Sequence, residues 1–280
     1  MSTSTASIIP SPSAGVLDAR RAALDGTLRG LGRVAVAFSG GVDSSFLLRA
    51  AVDCLGAPNV LAVTVASPVH PGWEREEAQS LARSLGVEHL IVESNELKND
   101  EFAANPPDRC YICKFGRFTE LTRLAREHGF SSVLDGGNAD DVNDYRPGQR
   151  AADELGVRSP LREAGLSKAD VRALSRLLGL PTWDRPSRAC LASRFPYGER
   201  ITREGLRQVD EAESFLQRLG IRQLRVRHHG SLARIELAPE DFGVTMSHRE
   251  ELVARLKGLG FTYVTLDLAG FRSGSMNEVL

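Results

Sequence analysis

The chain has 280 residues, 35 Lys and Arg against 36 Asp and Glu, a net charge of −1 and 25% charged residues. That balance speaks against a surface built as a whole to grip nucleic acid, and no apolar run reaches the length of a membrane-spanning helix. The length suits one or two domains with a sizeable core. Residues 1–15 are rich in Ser, Thr and Pro with no basic stretch ahead of an apolar core, so they read as a disordered tail, not a signal peptide, and the protein is expected to be cytoplasmic.

Residues 16–31 place Val16, Leu17, Leu24, Leu28 and Leu31 among charges, the pattern of an amphipathic helix. Val34 to Phe38 follows as a short apolar run of buried-strand type. Next come Ser39-Gly40-Gly41-Val42-Asp43-Ser44-Ser45 and an apolar helix through Phe46, Leu47, Leu48, Ala50 and Ala51. Gly40 and Gly41 let backbone N–H groups approach a phosphate, and a helix starting near Val42 adds its free N–H groups and positive dipole end. Ser39, Ser44 and Ser45 offer hydroxyls. An acid inside a phosphate cradle needs a cation, which makes Asp43 a magnesium candidate. The stretch lacks the Lys-Ser/Thr ending of a Walker A loop and the third glycine of a dinucleotide fingerprint. It resembles the pyrophosphatase loop (PP-loop) of the adenine-nucleotide alpha-hydrolase superfamily, whose members split ATP into AMP and pyrophosphate and activate a substrate as its adenylate.

Asn59 to Ala66 predicts a second strand, Gly72 to Leu85 a helix ended by Gly86, and Val87 to Val92 a third strand. Residues 94–105 read as a mobile polar excursion. Phe115 to His128 predicts another helix, and Ser132 to Asp135 a fourth strand running into Gly136-Gly137-Asn138-Ala139-Asp140-Asp141. Buried-type strands alternating with helices mean a parallel sheet covered by helices, with ligands at the carboxyl ends of its strands. Gly136 then reads as part of a second wall of the ATP site, and some but not all of Asp135, Asp140 and Asp141 as metal or ribose contacts. His70 reads as a packing or capping residue. Asp144 to Gly148 is a turn with Arg146 beside Tyr145, and Ala151 to Leu155 a short helix. A helix over Lys168–Leu178 begins behind Ser167, with Asp170 as a loose capping box, and stops at Gly179-Leu-Pro181.

The cysteines are Cys54, Cys110, Cys113 and Cys190. Cys54 belongs to the apolar helix after the loop and reads as an inert buried thiol. Cys110-Tyr-Ile-Cys113 puts two thiols three positions apart. The spacing alone fits half a zinc site completed by a histidine such as His89 or His228, two ligands of an iron–sulfur cluster, a redox pair, or coincidence. Around Cys190, the stretch from Thr182 to Gly198 crowds Arg185, Arg188 and Arg194, whose guanidinium groups favour a thiolate that can attack, ligate iron or carry sulfur.

Together the Ser39–Ser45 loop, Asn105–Lys114, Gly136–Pro147 and Pro186–Gly198 resemble the LarE family. The resemblance, over roughly residues 20–275, implies an ATP-dependent sulfur transferase of nickel-pincer nucleotide biosynthesis, the cofactor of lactate racemase. Such proteins adenylylate a carboxylate of pyridinium-3,5-biscarboxylic acid mononucleotide and replace the adenylate with sulfur. Some members carry one cysteine and sacrifice its sulfur, leaving dehydroalanine. Others hold a [4Fe-4S] cluster on three cysteines, with an open iron for sulfide. Cys190 matches the shared cysteine, and Cys110 and Cys113 match the cluster pair. The resemblance therefore implies ATP, Mg2+, a [4Fe-4S] cluster on Cys110, Cys113 and Cys190, a sulfide donor, a homo-oligomer, and no nucleic-acid or membrane partner. The alternatives are a [4Fe-4S]-dependent tRNA thiolase, which must grip a polyanion, and the sacrificial-cysteine version of the same sulfur transferase.

The carboxyl-terminal part predicts a helix over Arg203–Gly220 capped by Thr202, a hairpin of Gln223–His229 and Ala233–Leu237 turning at Gly230-Ser231, a helix over Met246–Leu259 started near Ser247, and a last strand over Phe261–Leu268. The expected architecture is thus α/β: a tail at 1–15, a Rossmann-like PP-loop domain at 16–185, a cysteine- and arginine-bearing connection at 186–200, and a smaller α+β domain at 201–280. By the LarE resemblance the last part shapes oligomers and the substrate site. Arg225, Arg227, Glu236 and Asp267 match that neighbourhood, and with Cys190 and Arg194 they form the expected catalytic set.

Overall fold

Four parallel strands, β1 (Val34–Ala37), β2 (Val60–Ala66), β3 (Glu88–Glu93) and β4 (Ser132–Leu134), form a sheet in the order β3-β2-β1-β4. The computed structural model describes residues 14–143, 147–186, 189–272 and 274–277. Residues 1–13 of the expected tail, the Tyr145–Arg146 pair, Ser187 and Arg188 lie outside the described residues.

Side chains alternate across β1, and both of its faces are covered. Val34 and Val36 pack with Leu24 and Leu28 of α1 (Ala14–Leu31), Phe46 and Leu47 of α2 (Val42–Leu55), and Val171 and Leu174 of α8 (Lys168–Leu177). Ala35, with Leu61 and Val63 of β2, packs instead against Phe118, Leu121 and Ala125 of α5 (Arg109–Glu127). Burial on both faces is why β1 is apolar throughout and β2 nearly so, whereas β3, at the edge of the sheet, carries Glu88, His89 and Glu93. The remaining helices of this body are α3 (Gly72–Ser84), α4 (Asp100–Ala103), α6 (Pro147–Glu154) and α7 (Pro160–Glu163).

The second sheet has the order β5-β6-β7, from β5 (Leu224–His229), β6 (Leu232–Leu237) and β7 (Tyr263–Leu266); β5 and β6 are antiparallel, β6 and β7 parallel. The hairpin turns at Gly230, whose φ of 60° suits glycine. Helices α9 (Arg203–Arg218), α10 (Phe242–Ser247) and α11 (Arg249–Gly258) complete this part, and its core joins Phe215 and Leu216 of α9 to Val226, Ile235, Leu252 and Leu256.

Four local expectations change. Helix α5 starts at Arg109, six residues before Phe115, so Cys110 and Cys113 lie inside its first turns. Residues 94–105 are not a polar excursion: Asn99 accepts from the Glu101 and Phe102 N–H groups as the cap of α4, and Phe102 is buried. The capping box at Ser167 and Asp170 is complete, with each side chain bonded to the other's backbone N–H. The helix expected over Met246–Leu259 divides at His248 into α10 and α11.

The connection from Ala189 to Ile201 is stitched onto the first body. The Leu191 N–H donates to the Val69 carbonyl at 2.9 Å, the Gly198 N–H to Asn105 at 2.9 Å, and the Ile201 N–H to Ala103 at 2.8 Å. Asn105, fully buried at a left-handed φ of 60°, donates through Nδ2 to the carbonyls of Phe195 and Pro196. Leu191, Phe195 and Ile201 share a small apolar cluster with Val69 and Phe102, and Cys113 and Cys190 pack against it.

Candidate functional site

In the order β3-β2-β1-β4, the connections of β1 and β4 leave in opposite directions, which opens a crevice at the carboxyl ends of those two strands. The Ser39 loop and the Gly136-Gly137 turn flank it. Gly40 has φ +73°, and Gly41 is the N-cap of α2. A Cβ on Gly136 would stand 3.0 Å from the Ser44 nitrogen and 3.2 Å from the Asp43 Cβ, so only glycine lets the two loops close on each other. The Ser39 and Ser44 hydroxyls lie 3.1 Å apart, and the Ser39 N–H donates to Ser44 Oγ at 3.3 Å. This loop presents a helix start and hydroxyls to an anion without a lysine of its own.

The lysine comes from elsewhere. Lys168, first residue of α8, donates from Nζ to Asp43 Oδ2, and its backbone N–H donates to Asp140 Oδ2 at 2.9 Å. Asn138 Nδ2 reaches Asp43 Oδ1 at 3.4 Å. Asp135 accepts from the Ser159 hydroxyl at 2.6 Å and the Gly137 N–H at 3.0 Å, and Asp141 accepts from the Asn138 N–H at 3.0 Å. These three acids all border the crevice while fixing its second wall.

The crevice continues into one cavity of about 1660 Å³ that reaches the second sheet. Its wall includes Ser39, Gly41, Asp43, Ser44 and Gly136 of the phosphate loops, Cys110 and Cys190, and Arg225, Arg227 and Phe271 from the second part. Gly40 and Ser45 are not on its wall: Gly40 makes the turn and its carbonyl accepts from Arg185, and Ser45 is fully buried. Glu236 and Asp267 are not on the wall either. Glu236 is fully buried, receiving Arg227 at 2.7 Å, Arg234 at 3.1 Å and the Ser275 hydroxyl at 3.1 Å. Asp267 lies 3.3 Å from Arg234 and accepts from the Ala269 N–H at 2.9 Å. Both hold the arginine framework from behind. Arg225 stacks over Phe271 at 5.1 Å, and burial together with the charges of Arg194 and Arg227 pulls its pKa down to about 10. An anion beside it would relieve that repulsion.

Of the arginines expected around Cys190, Arg185 pairs with Glu77 at 2.8 Å. Arg194 is buried and grips Glu213 with two bonds, of 2.8 and 2.7 Å. A cation missed in the sequence is Arg117, one helical turn after Cys113 on α5. It bonds Glu96 at 2.6 Å and His70 at 2.8 Å and is electrostatically coupled to both Cys113 and Cys190. The i, i+3, i+7 spacing of Cys110, Cys113 and Arg117 was the available signal, hidden by placing the helix start too late.

Relatives now bear on the site. A family profile described as asparagine synthase matches residues 15–238. An uncharacterised protein of Synechocystis is 49% identical over 252 residues, covering 89% of this chain and 94% of that protein. The pyridinium-3,5-bisthiocarboxylic acid mononucleotide synthase of Lactiplantibacillus plantarum is 43% identical over 264 residues, covering 94% of this chain and 96% of that enzyme. The chain belongs to the LarE family of the PP-loop superfamily. It is an ATP-using enzyme with the Rossmann-like sheet of that superfamily.

The expected [4Fe-4S] cluster is not supported. Among the described residues, no group of three or more His, Cys, Asp or Glu side chains is placed to hold a metal ion. Burial pushes the Cys113 thiol up to about 12 despite Arg117, and desolvation with the Cys190 charge raises Cys110. The histidines offered for a zinc site are engaged elsewhere. His89 bonds Thr64 at 2.8 Å, and His228 stacks on Phe195 at 4.7 Å and bonds Gln208 at 3.0 Å. The main functional expectation, the iron–sulfur cofactor and the cluster-dependent tRNA thiolase are therefore withdrawn together, since all rest on that ligand set. Cys54 is half-buried with a raised pKa, caused first by burial. Among the described residues, no helix is long and apolar enough to cross a membrane.

Proposed function

We propose that this protein is an ATP-dependent sulfur transferase acting on a carboxylate of a pyridinium mononucleotide, with Cys190 itself as the sulfur source. The observation that carries the reading is that Cys190 lines the same cavity as both the Ser39–Ser44 loop and Arg225. The Gly41 and Ser44 N–H groups and the Ser39 hydroxyl receive the polyphosphate. Asp43 fits a magnesium ion, because nucleotide-bound magnesium takes only one or two carboxylates beside phosphate oxygens. When bound, the ion supplies charge neutralisation on the phosphates. Lys168 then turns from Asp43 to a phosphate oxygen. Arg225 receives the mononucleotide phosphate, and the carboxylate is presented to the α-phosphate between the loop and Arg225.

Once the carboxylate is adenylated, Cys190 Sγ attacks its carbon and AMP leaves, giving a thioester. Loss of the Cys190 Cα proton and cleavage of its Cβ–Sγ bond then release the thiocarboxylate and leave dehydroalanine. The test is the intact mass of the chain after incubation with ATP, magnesium and pyridinium-3,5-biscarboxylic acid mononucleotide. The chain should lose one H2S at Cys190 per sulfur delivered, and Cys190→Ser should release pyrophosphate without forming thiocarboxylate. Many thiocarboxylates per chain with Cys190 intact would overturn the reading.

A further inference from the structure

The carbonyl of Cys190 sits in a two-donor pocket of a kind otherwise met around reacting oxygens. Its oxygen accepts the Ser193 N–H at 3.0 Å and Arg194 NH1 at 3.2 Å. The first bond is the ordinary one of the tight turn Leu191–Arg194, which Cys190 caps. The second is not required by that turn. Arg194 is already satisfied on Nε and NH2 by Glu213, and the two hydrogens of its NH1 are shared among the Ser193 hydroxyl at 2.8 Å, the Ala189 carbonyl at 2.9 Å and the Cys190 carbonyl. A buried guanidinium, 3% exposed, is thus fixed with one nitrogen bridging the carbonyls on both sides of the Cys190 amide nitrogen.

We infer that Arg194 and the Ser193 N–H form an oxyanion hole for the backbone carbonyl of Cys190 itself, which makes the Cα–H of that cysteine acidic enough for its sulfur to be expelled. This rests on the sulfur-source reading above. In the thioester, removal of the Cα proton places negative charge on the Cys190 carbonyl oxygen as an enolate. The electron pair then forms the Cα–Cβ double bond, the Cβ–Sγ bond breaks, and the thiocarboxylate leaves with the sulfur. The proton passes to water in the cavity. No electrons enter or leave. The charge that appears only in this step lies where a fixed cation and a backbone donor already point, so the interaction is stronger in the transition state than in the ground state. Glu213 anchors the guanidinium without touching the reacting carbonyl and is a positioning residue.

The experiment separates two steps. Wild-type protein, Arg194→Lys, and Arg194→Met combined with Glu213→Gln are each given ATP, magnesium and the biscarboxylated mononucleotide. Pyrophosphate release and intact protein mass are followed in time. A lysine can still pair with Glu213 but cannot span both carbonyls, and the double variant removes the charge without stranding Glu213. The expected result is pyrophosphate release and a chain heavier by the thioester adduct, with its conversion to dehydroalanine slowed about a hundredfold. Conversion at the wild-type rate would overturn the inference. So would pyrophosphate release with no adduct, which puts Arg194 before sulfur attack, and so would loss of pyrophosphate release in both variants, which makes Arg194 a frame residue. If the wild-type chain keeps its mass while delivering sulfur, the sulfur-source reading itself has failed, and the variants are not needed to show it.

Discussion

Lys168 and Asp43 are 125 positions apart and meet at the mouth of the phosphate loop. The capping box explains why: it fixes the start of α8, and the Lys168 N–H bonded to Asp140 aims that start at the loop. Replacing the lysine by methionine keeps the backbone cap and the stem, so folding should persist. Adenylylation should fall by about a hundredfold, the usual loss for one fixed donor on developing charge. Pyrophosphate release with saturating substrate measures it, and an unchanged rate would reduce Lys168 to a surface partner of Asp43. The phosphate loop was legible because its glycines, hydroxyls and acid are contiguous. Lys168 was not, because nothing local distinguishes a first-turn lysine aimed at a ligand from one aimed at water. Glu236 and Asp267 show the opposite limit: their charge was legible, but not that neighbouring arginines turn it away from the cavity.

At the scale of elements, the buried strands were readable because burial on both faces imposes one composition on them. Helix α5 was misread at its start because Arg109 to Arg117 shows no apolar stripe: Arg109, Cys110, Lys114 and Arg117 line the cavity, while Ile112 and Cys113 pack against the small apolar cluster. The segment holding Cys190 has no periodicity at all, since its shape is set by partners far along the chain. Asn105 is the main one. Its Nδ2 holds the Phe195 and Pro196 carbonyls, its Oδ1 accepts from Arg109, and its backbone takes a left-handed turn that asparagine tolerates better than most residues. Asn105→Ala leaves buried partners unsatisfied and should destabilise the protein by about 2–4 kcal/mol. Asn105→Gly keeps the turn but loses the side-chain bonds, so it should recover only part of that. Denaturant midpoints for the pair decide it. Equal midpoints would mean the left-handed turn contributes nothing, and a glycine variant as stable as the wild type would leave the backbone turn as the whole effect.

The two halves meet where Leu206 and Val209 of α9 join Val69 and Phe102 of the first body, and uneven charge compensation along this seam sets a pH dependence for the whole molecule. Asp210 of α9 is partly buried at this seam. Burial, then the charges of Glu213, Glu74 and Glu211, raise its pKa from 3.8 to about 6, with Arg194 opposing. Glu74 belongs to α3 of the first body, so the repulsion acts between the two halves. The sign follows from proton counting. Between about 4 and about 6 the folded state holds a proton on Asp210 that the unfolded state has lost, so stability falls as pH rises through that window. Below it both states are protonated and nothing is lost; above it both are ionised and the penalty is complete. Solvent reaches part of the side chain, so screening leaves the effect on the order of 1 kcal/mol. Asp210→Asn removes the charge and should therefore raise the melting temperature at pH 8 by a few degrees, with no gain at pH 3.5. Double substitution with Glu74→Gln should give less than the sum of the two gains at pH 8, because each removes the same repulsion. A stabilisation by Asp210→Asn that is equal at both pH values would show that side-chain packing, not charge at the seam, is responsible.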